Sequence, residues 1–170
     1  AISESYWWIR YGDGDTLMAV TYAALNDPVT TVSGLIDDNW DVGDISGTST
    51  KPSVGDSWDL GKVNLKNNDV IRVYEVASNH DFLGVGNGLD KGTARISIDI
   101  ATQVSRSRLR QLYSEVVSII RGARAGNAPT VLNANYADIR LLSRTDQSDK
   151  LRRWYRYVLD CEITSYEVVV

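Results

Sequence analysis

One histidine and one cysteine stand in 170 residues, which leaves little for acid–base or thiol chemistry. His80 sits in "SNHDF", a polar, turn-like stretch, with Asp81 beside it. A small hydrolase built on this pair would need His80 as base and a nucleophile within hydrogen-bond reach. No Gly-x-Ser-x-Gly elbow supplies that nucleophile, and a surface-loop histidine is the simpler account. A His/Cys metal cluster is out of reach with one residue of each type.

Oxygen ligands are more plentiful. In "DDNWDVGD", Asp37, Asn39 and Asp41 stand at alternate positions, as in a calcium-binding EF-hand loop. Val42 takes the place that needs the turn glycine, and Thr48 the place of the bidentate glutamate, so an exposed acidic loop is the expectation. Asp13 and Asp15 of "GDGD" are explained by a hairpin turn without a cation. The glycines of "GVGNG" (Gly84, Gly86, Gly88) suggest a phosphate cradle, but such loops work by feeding a helix N-terminus, and a strand follows from about Thr93. No cofactor is expected.

Two clusters suit binding better than catalysis. Tyr6, Trp7, Trp8 and Tyr11 offer stacking surfaces for a sugar or a base, although adjacent strand positions point to both faces. A carbohydrate-binding module is the reading this cluster supports. The second cluster is arginine: Arg106, Arg108, Arg110, Arg121 and Arg124, then Arg152, Arg153 and Arg156. So many Arg with so few Lys fits planar pairing with carboxylates, as at protein interfaces.

The elements that position these groups can be read in order. "SESYWWIRYGDGDTLMAVTYAAL" reads as a β-hairpin. In "NDPVTTVSGLIDDNW", Asp27 can cap a helix, Pro28 fits its first position, and Val29, Val32, Leu35 and Ile36 form one stripe. Residues 37–66 are acidic, rich in Gly and Ser and weakly periodic: a long loop with room for one short strand. "DVIRVYEVA" (69–77) is a strand, "SNHDFLGVGNGLDKG" a Gly-rich connection, and "TARISIDIAT" a strand. In the latter, Ala94, Ile96, Ile98 and Ile100 point inward, and Arg95, Ser97 and Asp99 outward. "SRSRLRQLYSEVVSIIRGARAG" places Leu109, Leu112, Tyr113, Val116, Ile119 and Ile120 at helical spacing, with Ser105 to cap and Gly122 or Gly126 to end it; its arginines then fall on the opposite, solvated side. "YADIRLLSR" and the closing segment are two more strands around the polar loop "TDQSD".

That closing segment, "KLRRWYRYVLDCEITSYEVVV", is long. Leu151, Tyr155, Tyr157, Leu159, Cys161 and Ile163 fall on one side with Arg153 the misfit, while Arg152, Trp154, Arg156, Asp160, Glu162 and Thr164 fall on the other. Cys161 therefore reads as a small core residue. The sum is an α+β fold: a mostly antiparallel sheet of about four strands with two helices packed on one face, plus an N-terminal β-hairpin arm. Residues 1–26 form the arm and 27–170 a single domain with a long acidic loop at 41–66.

Charge is unevenly shared. Residues 1–60 carry ten acids against Arg10 and Lys51, whereas 102–156 carry eleven bases against four acids. Opposite charge at two ends of a small protein favours head-to-tail contact between copies, or a basic face for an acidic partner. No run approaches the ~20 apolar residues of a membrane helix. The absence of a basic-then-apolar leader and the initial Ala lead us to expect synthesis in a cytoplasm.

The second half, a clean "ISIDI" strand, an amphipathic "RLRQLYSEVVSIIRG" helix, the "YADIRLLSR" strand and the "RRWYRYVLDCEITSYE" strand, resembles the tail-terminator or tail-completion proteins of tailed bacteriophages and tailed archaeal viruses. The resemblance covers residues 28–168 and rests on element order and strand character rather than on an invariant motif. It implies a structural virion protein without catalytic residues, made in the host cytoplasm. Such a subunit joins a ring, commonly of six copies, at the head-proximal end of the tail; it caps the tail tube and joins it to the neck. Tail tube and head-completion proteins are then its partners, and genomic DNA only passes through the ring. The hairpin at 1–25 and the acidic segment at 41–66 exceed the compact pattern, which keeps a head–tail adaptor role open. The subunit interface expected on this view sets Arg106, Arg110, Arg121, Arg124, Arg152 and Arg156 of one copy against Asp37, Asp38, Asp41 and Asp44 of the next.

Overall fold

The computed structural model describes residues 27–40, 51–56, 69–82, 89–126 and 136–168, without the side chains of 80, 82, 89, 90, 167 and 168. The elements run α1 (Pro28–Asp38), β1 (Ser53–Gly55), β2 (Val70–Phe82), β3 (Leu89–Thr102), α2 (Arg106–Arg124), β4 (Tyr136–Asp146) and β5 (Tyr155–Val168). They build one five-stranded sheet in the order β1-β2-β3-β5-β4. All neighbours are antiparallel except the three-residue β1, which lies parallel to β2. The α+β architecture expected from the pattern is therefore present, with the short strand inside the acidic segment. The expected N-terminal arm, its aromatic cluster and most of the acidic loop lie outside the described residues.

Local chemistry starts and stops the helices where the residue types allow. The Asp27 carboxylate accepts from the backbone N–H groups of Val29 (3.3 Å) and Thr30 (3.2 Å), and Pro28 follows, where a missing N–H costs nothing. The Ser105 hydroxyl accepts from Arg108 N (3.0 Å) at the start of α2. Beyond its end, Gly126 adopts φ +67°, a left-handed closure that a Cβ would disfavour. Both helices cover the same side of the sheet. Val29, Val32, Leu35 and Ile36 from α1, Trp40 just beyond it, and Leu109, Leu112, Val116, Ile119 and Ile120 from α2, meet Ile71, Val73, Ile96, Ile98, Ile100, Leu159, Cys161 and Ile163. The strand register keeps that face continuous, with Val73 opposite Ile98 and Ile98 opposite Leu159. Each fully buried Ile or Leu contributes roughly 1.5–3 kcal/mol.

Several expectations are corrected. The Gly-rich connection between β2 and β3 is mostly ladder: pairing continues to Phe82 opposite Asp90, which puts the backbone of His80 in a strand opposite Gly92 rather than in a turn. The bulge between Glu75 and Ala77 lets β2 continue beyond its periodic stretch, leaving Val76 exposed.

The closing strand begins at Tyr155, not at 151. Asp149 and Trp154 exchange backbone hydrogen bonds (2.7 and 2.9 Å), and residues 150–153 make the turn. Arg153 has φ 52°, so the alternation is broken there; this is why it misfits. Leu151 is not a core residue but 97% exposed at the tip. "TDQSD" is correspondingly not the loop, since Thr145 and Asp146 belong to β4.

On the outward side of β3, Arg95 is exposed as that pattern implies, but Ser97 and Asp99 are buried there. Nor does Arg108 join a solvated side of α2. Its guanidinium pairs with Asp69 (Nε–Oδ2 2.6 Å), the two side chains only 9% and 6% exposed, tying the first turn of α2 to the start of β2.

Candidate functional site

At 3.6 residues per turn, positions 106, 110, 121 and 124 of α2 fall within about 60° of one another around the axis. Arg106, Arg110, Arg121 and Arg124 are all exposed, so they form one stripe along the helix. The stripe flanks the buried side instead of lying opposite it, and faces the edge strand β4. Both its ends are fixed there: Arg106 pairs with Asp146 (2.7 Å) and Arg124 with Asp138 (3.3 Å). Between these, Arg144 of β4 lies over the rings of Tyr113 and Tyr157, 4.9 Å from each centroid. The two rings meet edge to face at 5.6 Å. Hydrogen bonds from the hydroxyl and backbone of Ser148, and the nearby Arg106 and Arg144, hold the Asp146 carboxyl below its ordinary range.

The side of the sheet away from the helices carries cross-strand polar pairs. Arg156 grips Asp99 with both carboxylate oxygens engaged (Nε–Oδ1 2.8 Å, Nη2–Oδ2 2.5 Å), and the Asp99 side chain is 0% exposed. That hydrogen bonding raises the Arg156 pKa further. Asp160 accepts from Ser97 (3.0 Å) and Ser143 (2.6 Å), and Arg140 donates to Glu162 (Nε–Oε1 2.9 Å). Near the β1 edge, Arg72 donates to the carbonyls of Ser53 (2.7 Å) and Ile71 (2.9 Å); burial lowers its pKa, opposed by the charge of Asp56.

The expected interface residues therefore divide. The four arginines of α2 come together. Arg152 stands apart on the β4–β5 turn beside Asp149 (3.6 Å). Arg156 is engaged inside its own chain. Among the acids, Asp37 and Asp38 lie in the last turn of α1, where Asp37 meets Lys51 (2.8 Å). Asp41 and Asp44 lie outside the described residues. Asn39 turns its amide back onto the Leu35 carbonyl (2.8 Å), which uses it as a helix-end group rather than as a cation ligand. No three His, Cys, Asp or Glu side chains gather into a metal site among the described residues, and no helix there is long and apolar enough to cross a membrane.

Sequence reasoning missed two functional-scale features. One is the Arg108–Asp69 pair; its signal was spacing, since Arg108 stands four residues before Leu112 and seven before the buried Glu115. The other is the Tyr113–Arg144–Tyr157 sandwich, which joins three elements and leaves no local mark.

No protein-family model matches the chain, and no curated protein matches it. Among solved structures, a chain of the "Virion of native gene transfer agent (GTA) particle" is similar in fold, with a TM-score of 0.54 at 12% identity. The match spans 86% of this chain and 100% of that one.

Proposed function

We propose that this protein is a structural component of a phage-like virion, a subunit that closes into a ring at the head-proximal end of the tail, caps the tail tube and joins it to the neck. The observation that carries this reading is the fold shared over the full length of a chain from a gene transfer agent virion, which is itself a particle component. The element order and strand character noted in the sequence support it independently. So does the surface: a rigid arginine stripe on α2 and exposed acids at the end of α1 give one copy two unlike charged patches. Contacts between unlike patches are heterologous, and heterologous contacts close into rings when the rotation between copies allows. The role needs no catalytic group and no cofactor; genomic DNA would pass through the ring without being read.

Negative-stain images and light scattering of the purified protein test the reading. Closed rings of about six copies are the expected result. A protein that stays monomeric at high concentration contradicts it. Rings that bind tail tube protein fit the terminator role, whereas rings that bind only head-completion proteins fit the neck-adaptor role.

A further inference from the structure

The turn joining β4 and β5 presents one apolar side chain in an unusually defined way. The Asp149 carboxylate accepts from Leu151 N (3.0 Å) and Arg152 N (3.3 Å), and Arg153 N reaches the Lys150 carbonyl (3.4 Å). Arg153 accepts a left-handed backbone at φ 52°, which non-glycine residues avoid. The product is a hydrogen-bonded tip on which Leu151 is 97% exposed and flanked by Lys150, Arg152 and Arg153.

At the opposite end of the sheet lies a groove of about 210 Å³ on the helix-bearing side. Ala94, Ile163 and Tyr136 provide its apolar lining, and the exposed Asp27, Glu75 and Ser78 also border it. An engineered apolar cavity of about 150 Å³ accepts benzene, so the groove has room for a leucine side chain. Its rim is acidic where the tip is basic. Tip and groove cannot meet within one chain: from Tyr155 to Ile163 alone, β5 spans about 27 Å, and the tip lies beyond Tyr155.

We infer that the β4–β5 tip of one copy docks in this groove of the next, with Leu151 as the plug and the acidic rim pairing with Lys150, Arg152 or Arg153. A tip at one end and a socket at the other make a heterologous contact, the kind a ring requires. This deepens the proposed ring and rests on it.

Cysteine cross-linking tests the contact. Cys161 is the chain's single cysteine and is buried, so introduced thiols report alone. A chain carrying Leu151→Cys and Ser78→Cys is expected to give a ladder of disulfide-linked multimers under mild oxidation, since the two positions are too far apart to join within one copy. Either substitution alone stops at dimers. In parallel, Leu151→Asp is expected to abolish rings at concentrations where the unsubstituted protein is fully assembled, with an unchanged melting temperature. Normal rings in Leu151→Asp and no ladder in the double variant overturn the tip-to-groove contact while leaving the ring. An unsubstituted protein that never assembles overturns both.

Discussion

A charge taken out of water has to be matched, and at the residue scale Arg108 and Asp69 are matched to each other. Breaking a buried pair from one side costs about 3–5 kcal/mol, because the remaining charge is stranded. Arg108→Met is therefore expected to lower unfolding free energy by about that amount in urea titrations, and a loss below about 1 kcal/mol contradicts the pairing. Cys161 gives the complementary case, a titratable group kept neutral. Burial pushes its thiol from 9.0 up to about 12. The folded state then favours the protonated thiol, so this contribution is complete below pH 9 and is lost as pH rises from 9 toward 12. The native protein should resist thiol reagents at pH 8. Its stability should fall more steeply above pH 9 than that of Cys161→Ala, which lacks the group. Equal slopes refute the assignment.

At the scale of elements, α1 is charged against its own dipole. Asp37 and Asp38 occupy its last turn, no base accompanies them in that turn, and among the described residues Lys51 reaches Asp37. Acids at a helix C-terminus are unfavourable by about 0.3–1 kcal/mol each, so a lone subunit carries a cost that a cationic neighbour would remove. Asp38→Lys should raise the monomer's melting temperature and weaken ring formation; a variant that assembles unchanged takes Asp38 out of the interface. The element also shows what could be read in advance. Asp27, Pro28 and the stripe Val29, Val32, Leu35 and Ile36 announced α1, and Ser105 and Gly126 bounded α2, because caps and periodicity act within a few residues. The β4–β5 turn was misplaced for the converse reason. Its position is set by the register of Gln147 and Asp149 against Arg156 and Trp154 and by a strained Arg153, none of which is visible from residue type. Arg108 and Arg156 were legible as cations but not as buried ones, since their carboxylates lie 39 and 57 residues away.

For the whole molecule, the separation of engaged from exposed arginines decides which substitutions report on assembly. Among the described residues, reversing Arg121 and Arg124 together to Glu touches one exposed ion pair, Arg124 to Asp138, and exposed pairs contribute about 0–1 kcal/mol. The double variant should remain folded and fail to form rings by light scattering. Arg156→Glu would place a second negative charge against the buried Asp99 and should instead unfold the subunit, with loss of cooperative melting. If the Arg121/Arg124 double variant assembles normally, the arginine face of α2 plays no part in subunit contact.

The margins of the sheet bear on how copies in the proposed ring would meet. Among the described residues, one margin is the three-residue β1 beside the longer β2; the other is β4, interrupted between Tyr136 and Asp138 and again between Leu141 and Ser143, and bearing Arg140, Arg144 and Asp146. The bulges and charges of β4 leave its border without a long, regular row of free amides and carbonyls for a foreign strand to zip onto. In the proposed ring, crowded copies would then meet at that border through side chains, which let go as readily as they take hold.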